Sequence, residues 1–340
     1  MKFSSPIQVL KTVDLDNAVS RKGNAPSSNM GASSITTACE RSTWLDFHWA
    51  VNDYKEPKMV RLLHLGEIIE GEMAEVLLSL GMDLKYAGKD QIKVFIAPHF
   101  VCKPDGIIFS GVPTAEKTIH VWECKSSNRK HYEELQKKGL REAKPEHYVQ
   151  MMCEMRAASI FLNKKVERGF YTAYCKDNSE IYAERIDFDE ETLNVYLQKA
   201  ERIRLAERLP EGLSDNPNFE GCRYCNKSHF CHFTHEAENI NCRTCIHSTP
   251  ETDGTWSCAL DKKYGWGVGA LTWEMQKEGC PYHSFLPDLV PFKLVPECST
   301  EDAAAYMKND GEIYLNGLGG ISSAELLQVK PRSFGGDVCF

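Results

Sequence analysis

The chain lacks any run of about 20 apolar residues, the length that a helix needs to cross a bilayer. The first ten residues lead into charged sequence without an apolar stretch and small-residue cleavage site, so we expect no secretion signal and a cytoplasmic location. Basic residues are not in excess either: 48 acidic against 40 basic residues give a net charge of −8. This charge argues against a protein that coats nucleic acid with a basic surface. A local basic channel remains compatible with it.

Cysteine, by contrast, is abundant. The chain has 14 cysteines, and their spacing is tightest between Cys222 and Cys280. In a protein without a secretion signal, close cysteines favour metal ligation over disulfides. At 340 residues with 42% hydrophobic content, we expect two folded units or one decorated core.

A pair of predicted strands carries the most informative residues. Residues 118–125 are short, β-branched and aromatic, which predicts a strand with Glu123 and Lys125 on one face. Residues 106–109 predict a second strand, and pairing of the two would bring Asp105 towards Glu123. Two adjacent carboxylates repel unless a divalent cation lies between them, so we expect Mg²⁺ or Mn²⁺ on these oxygens.

Helical and strand patterns alternate along the rest of the first two hundred residues, which indicates a mixed α/β core. The aromatic segment 33–51 predicts a buried helix, and a second amphipathic helix ends at Gly81. Its apolar positions are Leu62, Leu65, Ile69, Met73, Val76 and Leu80. Further helices are predicted over 146–161 and 190–207, and strands over 169–175 and 181–186.

The expected organisation has four parts. A mobile arm spans residues 1–30, an α/β core closed by a cysteine cluster spans 31–235, and a zinc-binding module spans 236–290. Residues 291–340 form an extension to which weak patterning assigns no role.

Six short motifs in a fixed order give the chain a family likeness. They are residues 33–41, residues 66–70, Pro104-Asp105-Gly106, Glu123-Cys124-Lys125, Gln150, and Cys222-x2-Cys225-x5-Cys231. In this order they resemble the PD-(D/E)xK nuclease superfamily. The likeness is to the branch with RecB-type nuclease domains, phage recombination exonucleases and CRISPR-associated iron-sulfur exonucleases. It implies a restriction-endonuclease-like core, with a mixed central sheet flanked by helices.

The resemblance also implies roles for individual residues. Asp105 and Glu123 would hold the metal, with Glu70 as a third carboxylate, and Lys125 would orient or deprotonate the attacking water. Gln150 matches a glutamine that contacts substrate. Relatives commonly place a tyrosine four residues later, where this chain has Glu154.

Two simpler interpretations stand beside these roles. An E-x-K triplet is usually a surface ion pair. Glu70 belongs to a series with Glu67, Glu72 and Glu75 that would also suit the exposed side of a helix.

The first cysteine group offers three thiolates, from Cys222, Cys225 and Cys231. A tetrahedral zinc site could recruit His229 or His232 as its fourth ligand. The family resemblance implies instead that Cys39 completes a [4Fe-4S] cluster, which would staple the N-terminal helix onto the core.

The second cysteine group resembles a zinc ribbon. Cys242 and Cys245 lie two residues apart, Cys258 follows, and Cys280-x2-His283 comes later. We expect a Zn²⁺ site in which either Cys280 or His283 is the fourth ligand, with His247 as a competitor.

The function that these features favour is metal-dependent hydrolysis of phosphodiester bonds at DNA ends. By resemblance this would be a 5′ to 3′ exonuclease of phage-type recombination, replication or repair, located in the host cytoplasm if phage-encoded. Its partners would be single- or double-stranded DNA ends and, by the same resemblance, a single-strand annealing or recombination protein; an oligomer is compatible with the sequence. The alternatives are a structure-specific endonuclease and a non-catalytic DNA-binding recombination module.

Overall fold

The computed structural model describes residues 27–53 and 55–329. The strands are β1 (Met30–Gly31), β2 (Leu84–Lys85), β3 (Val94–Ala97), β4 (Phe100–Cys102), β5 (Gly106–Ile108), β6 (His120–Ser127), β7 (Arg168–Cys175), β8 (Ile181–Asp187), β9 (Ser248–Pro250), β10 (Trp256–Cys258), β11 (Lys293–Leu294), β12 (Ala303–Met307) and β13 (Ile313–Gly317).

The helices alternate with these strands in the first part of the chain. They are α1 (Ala32–Ile35), α2 (Glu40–Phe47), α3 (Pro57–Ser79), α4 (Arg129–Lys138), α5 (Leu140–Ala143), α6 (Pro145–Leu162), α7 (Glu190–Leu205), α8 (Glu220–Arg223), α9 (Ala259–Tyr264), α10 (Trp273–Glu278) and α11 (Ser323–Gln328). The mixed α/β class predicted from the sequence is therefore confirmed. None of these helices is long and apolar enough to cross a membrane.

The central sheet has the strand order β2, β5, β6, β7, β8. Only β6 and β7 run parallel to each other, and the other neighbours are antiparallel. Parallel neighbours need a long crossover, and here helices α4, α5 and α6 provide it. The Trp122 indole fixes this junction by donating a hydrogen bond to Thr172 Oγ1 at 2.9 Å.

Helices α6 and α3 cover opposite faces of β6. Val121 belongs to the hydrophobic cluster that contains the buried side of α6, including Met151 and Met155. The next residue, Trp122, belongs to a separate cluster with Ile69 and other side chains of α3. Because strand side chains alternate, Glu123 and Lys125 lie on the same face as Val121.

The segment predicted as one helix over 33–51 is divided into α1 and α2. Hydroxyl groups explain the break, since Thr36 Oγ1 donates to Ser33 O at 2.7 Å and the Ser34 hydroxyl bonds back to Gly31. Such side chains compete with helical hydrogen bonds. The predicted burial of the aromatic segment is confirmed, with Trp44 fully inaccessible and Trp49 4% exposed.

The prediction for α3 was right for the helix and wrong for part of its buried face. Ile69 and Met73 are buried, together with Leu77, but Leu62, Leu65, Val76 and Leu80 are exposed, along with most of the first three turns. Apolar periodicity reports a helix face and does not report whether another element covers it.

Residues 1–26 of the predicted N-terminal arm lie outside the described residues. The last described residues of that arm are ordered into structure, because Met30 in β1 is 3% exposed and pairs with Phe100. At the other end, residues 293–317 form the antiparallel sheet β11–β12–β13, which the weak sequence pattern did not predict. Ala304 and Tyr306 of β12 belong to the same hydrophobic cluster as the α6 side of the core.

Gly106 gives a direct test of packing in the central sheet. A Cβ at this position would lie 2.7 Å from Leu84 Cδ1 and 3.1 Å from Trp122 Cε3. We expect Gly106→Ala to lower the free energy of unfolding by about 1–3 kcal/mol through overpacking, measured by urea denaturation. Gly66→Ala in α3 is the control, since nothing lies within 4 Å of its Cβ position, and a gain of about 0.5–1 kcal/mol is expected there. Equal stability of the two variants would contradict the packing assignment.

Candidate active site

Glu123 lies at the centre of a buried polar cluster on β6. Its side chain is 1% exposed, and its Oε1 is bonded to the Lys125 ammonium, whose side chain is 28% exposed. The other carboxylate oxygen, Oε2, is buried without a hydrogen-bond partner. A buried carboxylate oxygen in this state is costly unless another group satisfies it.

Asp105 reaches the same cluster from the neighbouring strand. The antiparallel register pairs Gly106 with Trp122, which places the preceding aspartate beside the backbone of β6. Asp105 Oδ2 accepts a hydrogen bond from the Cys124 amide at 2.9 Å. The predicted strand pairing thus brings Asp105 to Glu123, as the sequence indicated.

Glu70 joins the cluster through Gln91, a residue that the sequence analysis missed. The Gln91 amide Nε2 donates to Glu70 Oε1 at 2.8 Å and to Asp105 Oδ1 at 3.3 Å. Gln91 follows the short helical turn Gly88–Asp90 and belongs to no periodic element. No local sequence signal distinguishes it from any other loop glutamine.

Gln150 and Glu154 close the cluster from α6. The amide nitrogen Nε2 of Gln150 donates to Glu123 Oε1 and to Glu154 Oε1, each at 2.7 Å. Glu154 is completely buried, and its Oε2 has no hydrogen-bond partner. The signal for Glu154 was its spacing of four residues from Gln150, which puts both side chains on one helix face.

These groups carry more negative charge than Lys125 offsets. Burial first, and then the Glu123 carboxylate, raise the pKa of Asp105 and of Glu154 well above their ordinary values. The same two causes raise the pKa of Glu70. Burial opposes charge on Lys125, but Glu123 and Asp105 outweigh it and raise the pKa of the ammonium. The site therefore favours additional positive charge.

A divalent cation fits the chemistry of this cluster. Hard cations such as Mg²⁺ prefer carboxylate oxygens, and Asp105, Glu123 and Glu70 offer them from three different elements. The unpartnered Glu123 Oε2 is the atom most in need of such a partner. Within residues 27–53 and 55–329, however, no three His, Cys, Asp or Glu side chains are already arranged to hold a metal ion. Several of the oxygens are instead bonded to Lys125, Gln91 and Gln150.

Three members of the first cysteine group, Cys39, Cys225 and Cys231, lie near one another although almost two hundred residues of sequence separate the first from the last. Cys39 and Cys225 lie close enough to Cys231 to raise the pKa of its thiol, although burial is the larger cause and the nearby Arg41 guanidinium opposes both. Cys222 is buried, with its sulfur 4.0 Å from Ser214 O. A cation beside several thiols suits thiolate ligation of iron or zinc.

The second cysteine group lines one small cavity. Its lining includes all five predicted ligands, which are Cys242, Cys245, Cys258, Cys280 and His283. His247, the competing ligand predicted from the sequence, lines the same cavity.

Comparison with known proteins gives only partial likenesses. No family model matches the chain, and no curated protein matches it. Among solved structures, LHK-Exo in complex with dAMP has 18% identity and a TM-score of 0.38, over 52% of this chain and 85% of that one. The alkaline exonuclease LHK-Exo from Laribacter hongkongensis has 15% identity and a TM-score of 0.39, over 56% and 90%. SSO0001 has 17% identity and a TM-score of 0.39, over 66% and 98%.

At these TM-scores the three structures do not assign the chain to a family. The carboxylate cluster itself is the feature of this chain that indicates a function.

Glu154 makes the stability of the fold pH-dependent. Burial, Glu123 and Asp105 raise the pKa of Glu154, and Lys125 opposes this shift. The folded chain therefore holds a proton on Glu154 that the unfolded chain releases above about pH 4.3. The stability that this proton contributes is complete below that pH and declines as the pH rises towards the folded-state pKa. Glu154→Gln, which resembles the protonated acid, should therefore gain stability relative to the unmodified chain between about pH 5 and about pH 8.

This gain is measured by urea denaturation at both pH values with a chelator present. Glu72→Gln, an exposed position on α3, is the matched control and should show no such trend. A constant stability difference for Glu154→Gln across this range would contradict the assignment of Glu154 as a buried protonated acid.

Proposed function

We propose that this chain is a metal-dependent nuclease that hydrolyses phosphodiester bonds in DNA. The observation that supports this proposal most strongly is the convergence of Asp105, Glu123 and Glu70 beside one lysine ammonium. Three buried or half-buried carboxylates at one point weaken a fold unless positive charge offsets them. Phosphodiester hydrolysis with a divalent cation is the chemistry that uses this set of groups.

Asp105, Glu123 and Glu70 would hold Mg²⁺ or Mn²⁺. When bound, the cation supplies positive charge that offsets the phosphate and makes the attacking water more acidic. The chain's own contribution is to fix the three carboxylates just before β5, on β6 and on α3. The Gln91 amide and the paired strands join these elements.

Lys125 supplies the second positive charge of the site. Its pKa is raised by Glu123 and Asp105 despite burial, so the ammonium stays protonated at neutral pH. A protonated lysine donates hydrogen bonds to water or to phosphate oxygens and offsets charge that develops during hydrolysis. Of the two roles that the sequence left open, this favours orientation of the water over its deprotonation.

The preference for DNA ends and for 5′ to 3′ polarity rests on the family resemblance of the motifs. The same resemblance supports a [4Fe-4S] cluster on Cys39, Cys222, Cys225 and Cys231. The proximity of Cys39 to Cys231, together with Arg41, fits that ligand set. Such a cluster would join α2, which Cys39 precedes, to the segment that follows α7. Its role would be structural.

Removal of either central charged group should abolish activity while the chain still folds. We expect Glu123→Gln and Lys125→Ala each to lower kcat by at least about 100-fold in Mg²⁺, measured on a labelled DNA duplex. Lys117→Ala, an exposed lysine of the loop that precedes β6, is the matched control and should keep full activity. Circular dichroism of each variant separates lost chemistry from lost folding. Full activity of a folded Glu123→Gln variant would refute the site.

The requirement for ends is tested with two forms of one plasmid. A nuclease that starts at ends should degrade the linear plasmid in Mg²⁺ and leave the covalently closed circle intact. Both forms are followed on a gel over the same time course. Cleavage of the closed circle would favour the endonuclease alternative and would leave the carboxylate assignment unchanged.

Iron content tests the cluster on the first cysteine group. We expect anaerobically purified chain to be brown and to contain about four iron atoms, with both properties lost in Cys39→Ser. Cys175→Ser replaces a buried thiol of β7 outside the cysteine groups and is the control. Colourless protein with zinc and no iron would assign this group to zinc instead.

A further inference from the structure

Four thiols from three separate segments of the C-terminal part share one small cavity. Cys242 begins the helical turn Cys242–Thr244 and Cys245 follows it, Cys258 ends β10, and Cys280 lies shortly after α10. Cys242 interacts electrostatically with Cys258 and Cys280, and Cys245 interacts with Cys242 and Cys280. None of the described cysteines forms a disulfide. The four sulfurs are therefore close to one another and not bonded in pairs.

Backbone contacts hold these segments in register. The Cys245 amide donates to Cys242 O at 3.1 Å, which forms a tight turn. Cys245 also forms a β-bridge with Phe285, downstream of Cys280. A Cβ at Gly279 would lie 3.3 Å from Ile240 O, so the chain before Cys280 passes beside the chain before Cys242. Strands β9 and β10 place Cys258 opposite Ser248.

The two histidines at this cavity are engaged elsewhere. His283 Nε2 is 3.1 Å from Thr244 Oγ1 and its Nδ1 is 2.7 Å from Ser323 Oγ, so both ring nitrogens have hydrogen-bond partners. The ring is also 2% exposed. His247 Nε2 is 3.1 Å from Asp302 O. His283 cannot replace a thiolate without losing one of its two contacts. His247 would have to bind the metal through Nδ1, because Nε2 is bonded to the Asp302 carbonyl.

We propose that Cys242, Cys245, Cys258 and Cys280 bind one Zn²⁺ through four thiolates, at a structural site that is separate from the carboxylate cluster. Four sulfur ligands from three segments match the preference of Zn²⁺ for tetrahedral thiolate sites. Since these side chains are not already arranged to hold a metal ion, binding requires them to rotate towards a common point. Each thiol that becomes a ligand releases its proton to solvent.

Zn²⁺ at this position would hold the buried Arg243 side chain against the core. Arg243, between the first two ligands, is 2% exposed and lies 3.8 Å from the centre of the Trp49 ring and 4.7 Å from that of Trp256. It donates to Phe47 O at 3.0 Å and to Gln276 Oε1 at 2.8 Å. A rigid metal-bound turn would hold this guanidinium in place against α2 and α10.

The experiment measures zinc per chain by mass spectrometry on the full-length protein from zinc-supplemented cells. Cys280→Ser should contain one zinc fewer than the unmodified chain, because it removes one of the four thiolate ligands. Cys280 is exposed, so the substitution changes no buried packing. His283→Gln should keep its zinc. Cys298→Ser, an exposed cysteine outside the cavity, is the matched control and should also keep it.

Three results would overturn the proposal. The first is an unchanged zinc content in Cys280→Ser, and the second is zinc loss in His283→Gln while Cys280→Ser keeps its zinc. The third is a disulfide between any two of the four cysteines in unreduced protein. If Cys280→Ser fails to fold, Co²⁺ is substituted for Zn²⁺ in the unmodified chain and its visible absorption spectrum is recorded. A spectrum of Co²⁺ bound by three sulfurs and one nitrogen would also overturn the proposal. Zinc is measured without DNA, so the outcome is independent of the proposed nuclease activity.

Discussion

The crowding of carboxylates around a single ammonium is the constraint on which the central part of this molecule depends. Asp105, Glu123 and Glu154 approach one another from a strand pair and a helix, and the ammonium of Lys125 opposes their charge. The fold accommodates this by raising carboxylate pKa values and by sharing the amide donors of Gln91 and Gln150. These adjustments stabilise the cluster without neutralising it fully. The negative charge that remains favours a bound cation, which supports the proposal of a cation-dependent reaction.

The parallel junction of β6 and β7 explains how so many acidic groups can share one place. The crossover returns α6 against the face of β6 that carries Glu123, so Gln150 and Glu154 approach from above the sheet. Asp105, which immediately precedes the short strand β5, approaches from the side. Helix α3 lies on the other face and contributes Glu70 through the bridging Gln91. The buried apolar side chains of these elements pack in one of two hydrophobic clusters.

Local patterns in the sequence predict the part of this site that lies on regular elements. Alternation along β6 places Glu123 and Lys125 together, and a strand that starts at Gly106 brings Asp105 beside them. Gln91 was not predicted because it lies on a loop, where the spacing of residues in the sequence does not determine the direction of a side chain. The burial of Glu154 was not predicted either, since the burial of a helix face can be predicted only when the sheet beneath it is known. The exposed leucines of α3 show the reverse case, in which an apolar pattern exists without a covering surface.

The packing of Trp256 against the N-terminal aromatic residues has a consequence for how this protein can be divided. Its ring lies 5.2 Å from that of Phe47, 5.9 Å from that of His48 and 5.6 Å from that of His99. A fragment that ended at residue 235 would keep the whole carboxylate cluster and uncover this aromatic surface, which favours aggregation. The last third of the chain therefore shares a packed interior with the part that carries the carboxylate cluster. Transfer of the part that carries the carboxylate cluster into another protein would require a new cover for these rings.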